Sequence, residues 1–220
     1  MIVGVSQSSG KMSRSDELTR EGVPWNEFTD RRGSEISGEA EPSQYMYQII
    51  EGAVRTYKLL SDGRRQINAF HLPGDVFGVE SGEVNRFTAD AIIETRVRLT
   101  GRQIIFENAS CRKSSAMDNI LHLITKNLEH AESHMLLLGR KTSLEKVAAF
   151  VLEMDKRPTA AGVMILPMGR RDIADYLGLT IGTVSRALSI LKNRGALTFI
   201  RQAQREIVLR DRRKLAELES

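Results

Sequence analysis

The chain has 220 residues, of which 41% are hydrophobic, 27% charged and 5% aromatic, and its formal net charge is +4. This composition is typical of a globular protein and excludes a wholly disordered chain or a collagen-like repeat. At about 100 to 200 residues per domain, the length allows one large domain or two small ones, and we favour two.

The cysteine content and the hydropathy of the chain indicate its compartment. The single cysteine, Cys111, excludes an internal disulfide and a thiolate cluster for zinc or an iron–sulfur centre, so a reducing compartment is expected. The apolar runs fall short of the roughly 20 residues that span a bilayer, and the N-terminal residues lack the long apolar stretch of a secretory signal. We therefore expect a cytoplasmic protein with no membrane partner.

Positive charge is concentrated in the C-terminal part of the chain. Residues 139–220 contain 16 Lys and Arg against 9 Asp and Glu, whereas residues 1–138 contain 16 against 19. Because neutralising phosphates requires Lys and Arg on one module, this distribution indicates nucleic acid or another anionic surface as the partner.

Residues 26–113 are expected to form an antiparallel β-roll. Short apolar runs alternate with turns that contain Gly or Pro, which is typical of many short strands in a compact roll or barrel. The strands are expected at residues 45–50, 53–60, 66–71, 87–93 and 95–99. Residues 1–25 are polar and show neither strand nor helix periodicity, which predicts a mobile extension.

Residues 114–138 are predicted to form one long helix with a narrow apolar stripe. The stripe consists of seven side chains at alternating spacings of three and four residues, namely Met117, Leu121, Ile124, Leu128, Ala131, Met135 and Leu138. This spacing favours a parallel two-helix dimer seam and hence a homodimer. The alternative is an amphipathic helix packed on its own domain, and Ile120 and Leu137 widen the stripe enough to leave that alternative open.

Residues 139–220 carry the pattern of a winged helix-turn-helix, which makes the fold class α+β. Thr142 and Glu145 have the spacing of a capping box at the start of a first helix. Two short helices follow, at residues 171–177 and 181–193, and Thr180 is the expected N-cap of the second. Apolar-alternating strands at residues 197–201 and 205–209 then form a hairpin, the wing.

The helix at residues 181–193 is the candidate recognition helix. In a winged helix-turn-helix this helix enters the major groove N-terminus first, so its first two turns reach the base edges. The expected base contacts are Ile181, Gly182, Ser185 and Arg186. Arg186 is the strongest candidate, because a guanidinium can donate two hydrogen bonds to O6 and N7 of guanine.

Residues that flank the base contacts are expected to bind DNA phosphates. These residues are Arg170, Arg171, Thr180, Thr183, Arg201 and Arg205. The alternative is a structural helix pair with a solvated arginine face. The adjacent wing and the uneven charge distribution favour double-stranded DNA as the partner.

The chain resembles the Crp/Fnr superfamily of bacterial transcription regulators. The stretch RRDIADYLGLTIGTVSRALSILKNRGAL, residues 170–197, is similar to the DNA-binding domain of that superfamily. The stretches EGAVRTYKLLSDGRRQINAFHLPGDVFGVE, FTADAIIET and HMLLLGRKTSLEKVAAFVLEM are most similar to its FixK branch. The resemblance covers about residues 28–209 and implies a roll of cyclic-nucleotide-binding ancestry, a long dimerisation helix and a winged helix-turn-helix.

The resemblance also implies a function. It implies a homodimeric activator that contacts RNA polymerase and binds TTGA(T/C)-type inverted repeats without an obligate effector, at low-oxygen or nitrogen-fixation genes. The alternative is a ligand-gated regulator that is switched by an unidentified small molecule in the β-roll. An enzyme is not expected, because the sequence shows no nucleophile–base pair, Gly-rich phosphate loop or carboxylate cluster.

Two glycines depart from the family pattern. Fnr-like recognition helices carry Glu-x-x-Ser-Arg, whereas Gly182 stands at the glutamate position before Ser185 and Arg186. We expect weaker discrimination, by about 1 to 3 kcal/mol, at the base pair that the glutamate would contact. Some FixK-type regulators carry a cysteine just before the helix-turn-helix whose oxidation hinders DNA binding. Gly169 stands at that position, so insensitivity to peroxide is expected.

No cofactor or metal is expected. The iron–sulfur cluster of Fnr requires several cysteines, and residues 78–88 lack the Arg-Ser pair with which Crp binds cyclic AMP. His130 and His134 have a spacing that could share a metal, but we interpret them as a solvated helix flank. Cys111 is interpreted as an inert residue rather than a redox sensor. The basic residues 210–214 are interpreted as either a solvated end or a phosphate contact.

Overall fold

The N-terminal domain consists of short antiparallel strands. The computed structural model describes residues 25–79, 82–105, 115–139, 142–157, 163–200 and 205–218, so residues 1–24 of the predicted N-terminal extension and Cys111 lie outside the described residues. The strands are β1 (Asn26–Asp30), β2 (Glu35–Ser37), β3 (Tyr45–Glu51), β4 (Val54–Leu59), β5 (Arg65–His71), β6 (Val76–Phe77), β7 (Thr88–Ala91) and β8 (Thr95–Gly101). They form two four-stranded sheets with the orders β1-β8-β3-β6 and β2-β7-β4-β5, as expected for a β-roll.

Three of these strands were not predicted from the sequence. The five predicted strands lie within two residues of their observed bounds. β1 and β2 are edge strands that each pair with a single neighbour, and most of their residues are not buried. Such strands carry little apolar alternation, and β6 has only two residues, so periodicity could not reveal them.

The hairpin between β4 and β5 ends in a turn that its own backbone and one carboxylate hold in place. The N–H of Leu60 donates to the carbonyl of Arg64 at 2.8 Å, and Gly63 has a φ of +80°, which favours glycine. Asp62 accepts from the backbone N–H of Arg64 at 3.0 Å and from its Nε at 2.7 Å. The tip of the hairpin, residues 60–64, therefore has a defined conformation.

Aromatic rings fill the space between the two sheets of the roll. Tyr47 stacks on Phe77 with 4.8 Å between the ring centroids, and Phe77 stacks on His71 at 4.9 Å. Tyr47 and Phe77 belong to one buried apolar cluster with Val54 and Ala89 of the facing sheet. The interior of the roll is thus occupied by its own side chains.

Two helices connect the roll to the C-terminal part of the chain. The long helix α1 (Ser115–Leu138) agrees with the predicted 114–138, and α2 (Ser143–Asp155) follows it. The predicted capping box is present at the start of α2, since Thr142 Oγ1 accepts from the N–H of Glu145 at 3.2 Å and the Glu145 carboxylate accepts from that of Thr142 at 3.3 Å. The inward face of α2 is fully buried.

The C-terminal domain has the predicted winged helix-turn-helix architecture. Its helices are α3 (Arg170–Leu177), α4 (Ile181–Asn193) and α5 (Arg212–Glu217), and its strands β9 (Met164–Ile165), β10 (Leu197–Phe199) and β11 (Glu206–Leu209) form a sheet of order β10-β11-β9. Gly178, with a φ of +63°, ends α3, and the Thr180 side chain accepts from the N–H of Thr183 at the start of α4.

The segment at residues 210–214 leads into a short helix, and its four basic side chains are exposed, which agrees with the interpretation as a solvated end. Asp211 caps α5 by accepting from the backbone N–H groups of Arg213 and Lys214. Arg212 donates to Asp155 of α2 at 2.6 and 3.0 Å, and Leu215 is fully buried. The basic run therefore begins a helix that closes the core of the C-terminal domain.

A single hydrophobic core continues from the roll into the C-terminal helices, with Tyr176 of α3 at its centre. The Tyr176 ring stacks on His134 of α1 with 4.0 Å between centroids and contacts Phe70 of β5 at 5.1 Å. Its hydroxyl donates to Glu153 of α2 at 3.1 Å, and its carbonyl accepts from Gln66 of β5 at 3.3 Å. Four elements thus meet at one side chain. Among the described helices, none combines the length and the apolar character that crossing a membrane requires.

Candidate nucleic-acid interface

The two faces of α4 differ sharply in burial. Val184, Ala187, Leu188 and Leu191 point into the core and are at most 3% exposed. The predicted base contacts Ile181, Gly182, Ser185 and Arg186 all lie on the opposite, exposed face. Because the core fixes the inward face, the outward face is presented as a rigid surface of the kind that enters a major groove.

The first turn of α4 holds Arg186 through a chain of hydroxyl groups. Thr180 Oγ1 lies 2.8 Å from Thr183 Oγ1 and also accepts from the backbone N–H of Thr183 at 3.2 Å. Arg186 Nη2 donates to Thr183 Oγ1 at 3.4 Å. The threonines predicted as phosphate contacts therefore also cap the helix and orient the predicted base-reading guanidinium.

The predicted phosphate contacts form two groups around α3 and the wing. Arg171, Thr180 and Thr183 lie beside one another at the junction of α3 and α4. Arg170 lies instead over the ring of Phe199 in β10, with 5.5 Å between its guanidinium carbon and the ring centroid. Arg201 lies outside the described residues.

Arg170 and Arg205 form a positively charged pair at the base of the wing. Burial lowers the pKa of Arg170, and the nearby charge of Arg205 lowers it further. Arg205 donates to the carbonyl of Pro167 at 3.3 Å. An anion placed between these guanidinium groups would relieve their mutual repulsion, which is the electrostatic behaviour of a phosphate site.

Both unusual glycines occupy positions where a side chain fits. A Cβ on Gly182 would meet only Thr180 Oγ1, at 4.0 Å, so the glutamate of the family pattern would project into open space. Gly169 is the N-cap of α3, and its N–H donates to Asp172 Oδ2 at 3.1 Å. A Cβ there would lie 3.9 Å from Arg205 Nη2 and 3.9 Å from Asp172 Oδ2, which is ordinary contact.

The predicted seam on α1 is an apolar surface in the single chain. Five of the seam residues are exposed, namely Leu121 (61%), Ile124 (45%), Leu128 (57%), Met135 (66%) and Leu138 (36%). Ala131 is exposed as well, and the side chain of Met117 lies outside the described residues. Leu137, by contrast, is 5% exposed and packs into the core of its own chain.

The interpretation of His130 and His134 as a solvated flank is wrong for His134. His134 is 8% exposed, and its Nε2 lies 2.9 Å from the carbonyl of Tyr176. Burial lowers the pKa of His134, although the hydrogen bond to Tyr176 partly opposes that shift. Burial also lowers the pKa of His130 to about 4, and His134 and Arg157 contribute to the same effect. Both imidazoles are therefore neutral at pH 7 and belong to the contact between α1 and the C-terminal domain.

Sequence reasoning missed the residues that hold α3 against the roll. Arg55 of β4 donates to Asp172 Oδ1 at 2.6 Å, and Arg65 of β5 reaches Asp172 at 2.6 Å and Asp175 at 2.7 Å. Two acidic residues on one turn of a helix in a basic domain were the available signal. Their partners lie more than 100 residues away, so no local pattern could identify them.

Family comparisons match both parts of the chain. Residues 30–101 match the cyclic nucleotide-binding domain, and residues 145–218 match the Crp-like helix-turn-helix domain. The nitrogen fixation regulation protein FixK of Azorhizobium caulinodans is 42% identical over 194 residues, which cover 86% of this chain and 77% of that protein. The transcriptional activatory protein AadR of Rhodopseudomonas palustris is 40% identical, over 75% of this chain and 70% of that protein.

The structure of FixK2 from Bradyrhizobium japonicum superposes with a TM-score of 0.85 and 55% sequence identity, and the match covers 90% of this chain and 98% of that one. A β-roll joined to a winged helix-turn-helix with an exposed recognition helix defines a DNA-binding transcription regulator, not an enzyme. The chain belongs to the FixK branch of the Crp/Fnr family.

Proposed function

We propose that the protein is a cytoplasmic homodimeric activator that binds TTGA(T/C)-type inverted repeats without an obligate effector. The observation that carries this proposal is the outward face of α4. That face is lined by Gly182, Ser185 and Arg186, while the opposite face of α4 is buried in the core. Arg186 reads guanine through O6 and N7, and Ser185 adds a donor or acceptor to a neighbouring base.

The phosphate contacts come from both sides of α4. Arg171, Thr180 and Thr183 bind the backbone at the helix N-terminus, where free N–H groups and the helix dipole favour an anion. Arg170, Arg201 and Arg205 bind it from the side of the wing. The paired positive charges of Arg170 and Arg205 support that assignment.

The dimer forms through the exposed stripe on α1. The seam residues from Leu121 to Leu138 present a continuous apolar face at heptad spacing, which a second copy of the helix covers. Two-fold symmetry then places two recognition helices about one helical turn of DNA apart, which matches an inverted repeat.

Binding without an effector is supported by the interior of the roll and by its contact with α3. A cyclic nucleotide does not fit the residues present, because Tyr47, Phe77 and His71 stack within the roll and residues 78–88 lack the Arg-Ser pair. The ion pairs of Arg55 and Arg65 with Asp172 and Asp175 fix the position of α3 within the chain itself.

Fluorescence anisotropy of the purified protein tests the proposal. The probes are a TTGAT-N4-ATCAA duplex, versions with each base pair substituted, and a scrambled duplex, at several salt concentrations. We expect tight binding to the operator without additives and the largest loss when the guanine assigned to Arg186 is changed. Equal, strongly salt-dependent binding to operator and scramble would refute effector-free specific binding and favour the ligand-gated alternative.

The activator role rests on the relatives, one of which is named a transcriptional activatory protein and another a nitrogen fixation regulation protein. We propose that the bound dimer contacts RNA polymerase and raises transcription from low-oxygen or nitrogen-fixation promoters. Transcription in vitro with purified polymerase on a promoter that carries the operator upstream would show increased transcript only when the protein is present. A decrease would identify a repressor at that promoter instead.

A further inference from the structure

A cleft of about 810 Å³ lies between the tip of the β4–β5 hairpin and the helix-turn-helix. One wall is the hairpin, with Arg64 and Arg65, and the other is formed by α3 and the start of α4, with Arg171, Thr180 and Thr183. The cleft is therefore continuous with the residues proposed to bind phosphate at the N-terminus of α4.

The charged side chains of this cleft favour a polyanion. Three arginines and one aspartate, Asp175, line it, and Arg65 already neutralises that aspartate through contacts of 2.9 and 2.7 Å. Arg64 is 77% exposed in its side chain, and Arg171 is exposed on the opposite wall. Asp62 pairs with the Nε of Arg64 at 2.7 Å, so the exposed guanidinium end of Arg64 and the side chain of Arg171 are positive groups that a ligand can reach on the two walls.

The hairpin is attached to the DNA-binding domain through the two residues that follow its tip. Arg65 binds Asp172 and Asp175 of α3, and the Gln66 side chain donates to the carbonyl of Tyr176 at 3.3 Å. Arg64 precedes these two residues directly, in a turn with a defined conformation. These contacts place Arg64 in the same cleft as Thr180 and Arg171.

We propose that the β4–β5 hairpin is a DNA-contacting element in its own right, with Arg64 binding a backbone phosphate adjacent to those bound by Arg171 and Thr180. The inference rests on the proposed DNA-binding function and adds the N-terminal domain to the interface. The occupant is the sugar–phosphate backbone of the same duplex whose bases α4 reads. This contact carries no sequence information, because every phosphate has the same chemistry.

Asp62 affects the proposed contact between Arg64 and phosphate. Its carboxylate accepts a hydrogen bond from the Arg64 Nε at 2.7 Å. This bond orients the guanidinium, but the carboxylate also places a negative charge near the phosphate that Arg64 would bind. Asp62→Asn keeps an oxygen that can accept from the backbone N–H of Arg64 and removes the charge. We expect this variant to bind DNA more tightly than the wild type, and an absence of any gain would contradict the proposal.

The salt dependence of binding measures the contact directly. The full chain is compared with Arg64→Ala and with Arg32→Ala, which removes an exposed arginine of the same domain that does not line the cleft. For Arg64→Ala we expect the slope of log K against log salt to become shallower by about 0.9 per contact, or about 1.8 for the two hairpins of a dimer. The slope for Arg32→Ala should equal that of the wild type. An unchanged slope for Arg64→Ala would overturn the proposal.

A phosphate scan locates the contact. Operator duplexes in which single phosphates are replaced by neutral methylphosphonates are titrated with the wild type, Arg64→Ala and Arg171→Ala. We expect one position in each half-site whose replacement weakens the wild type and Arg171→Ala but has no effect on Arg64→Ala, because the group that bound it is gone. If Arg64→Ala responds to every replacement as the wild type does, Arg64 binds no phosphate.

These experiments distinguish a failure of the hairpin contact from a failure of the proposed sequence-specific DNA binding. If the wild type does not prefer operator over scramble, sequence-specific binding fails, but the salt slope and the phosphate scan on any bound duplex still report on Arg64. If the wild type prefers the operator and Arg64→Ala is indistinguishable from it in both experiments, only the hairpin contact fails.

Discussion

Arg55 in β4 and Asp172 in α3 form an ion pair at 2.6 Å across 117 residues of sequence. Burial by itself lowers the pKa of Arg55, but its hydrogen bond with Asp90 and the charges of Asp172 and Asp90 outweigh that effect and raise it. Asp172 Oδ1 also accepts from Arg65, while Oδ2 accepts from the N–H of Gly169 and starts α3. One carboxylate therefore both begins the helix and fixes it to the roll.

Asp172→Asn should loosen this attachment. An asparagine oxygen can still accept from the N–H of Gly169, but Arg55 keeps only Asp90 and Arg65 keeps only Asp175 as countercharges, in a setting where the side chains of the pairs with Asp172 are 11 to 18% exposed. We expect the free energy of unfolding to fall by about 1 to 3 kcal/mol and the operator affinity to fall with it. Urea unfolding and anisotropy measure the two effects. Asp155→Asn, which removes the pair with Arg212, whose side chain is 62% exposed, is the matched control and should change less.

Gly182→Glu should restore the carboxylate of the family pattern. The side chain meets open space, and the carboxylate can accept from N4 of cytosine, so we expect about 1 to 3 kcal/mol more discrimination at one base pair of each half-site. Anisotropy on single-substitution operators measures the change. Gly182→Ala separates the effect of helix propensity, since it should stabilise the protein by about 0.5 to 1 kcal/mol without altering base preference. Unchanged preference in Gly182→Glu would refute the assignment.

Gly169→Cys should make DNA binding sensitive to peroxide. The new thiol would lie near Arg205 and at the N-terminus of α3, two features that favour the reactive thiolate. Its oxidation would place a bulky charged group beside Arg205, which is proposed as a phosphate contact. We expect peroxide to abolish operator binding by the variant and to leave the wild type and Gly169→Ser unaffected. Resistance of Gly169→Cys to peroxide would show that this position does not control DNA binding.

Leu128→Glu should dissociate the proposed dimer. Leu128 is 57% exposed at the centre of the seam, and a carboxylate there would face its own copy across the symmetry axis. Leu136→Glu is a close control, because Leu136 lies on the same helix, is 67% exposed and is not a seam residue. Light scattering after size exclusion should give a monomer for Leu128→Glu and a dimer for Leu136→Glu. Dissociation of both variants, or of neither, would contradict the assigned seam.

Acidification should destabilise the protein through His71. Burial lowers the pKa of His71 from 6.5 to about 4, although the nearby Asp75 carboxylate opposes the shift. The unfolded chain therefore binds a proton at a higher pH than the folded chain. This contribution to stability is present above pH 6.5 and is lost as the pH falls towards 4, by at most about 3 kcal/mol. The melting temperature of His71→Gln should fall less steeply between these pH values than that of the wild type. Parallel curves of melting temperature against pH for the two proteins would contradict the shifted pKa.

Local signals predicted most of the C-terminal domain. The bounds of α3 and α4 were anticipated to within one residue, because Thr180 and Gly178 are capping residues whose effect is confined to neighbouring positions. The exposed positions of Ser185 and Arg186 agree with their predicted place in the first two turns of the recognition helix. By contrast, α5 was missed, because its six residues are too few to show an apolar period.

Contacts between distant elements could not be predicted in the same way. His134 was assigned to a solvated flank of α1, yet it packs on Tyr176 from the far domain. Arg55 and Arg65 are indistinguishable in the sequence from surface arginines of any strand. Their function as anchors depends on where α3 comes to rest, which only the tertiary structure reveals.

The burial of one face of α4 and the exposure of the other have an evolutionary consequence. The proposed base contacts Gly182 and Ser185 are exposed, so we expect their replacement to change which operators are recognised while leaving the core intact. A regulator with this arrangement can acquire a new set of target genes by substitutions at a few positions, without any compensating change elsewhere in the fold. A glycine at position 182, tolerated despite its poor helix propensity, is the kind of change that such freedom permits.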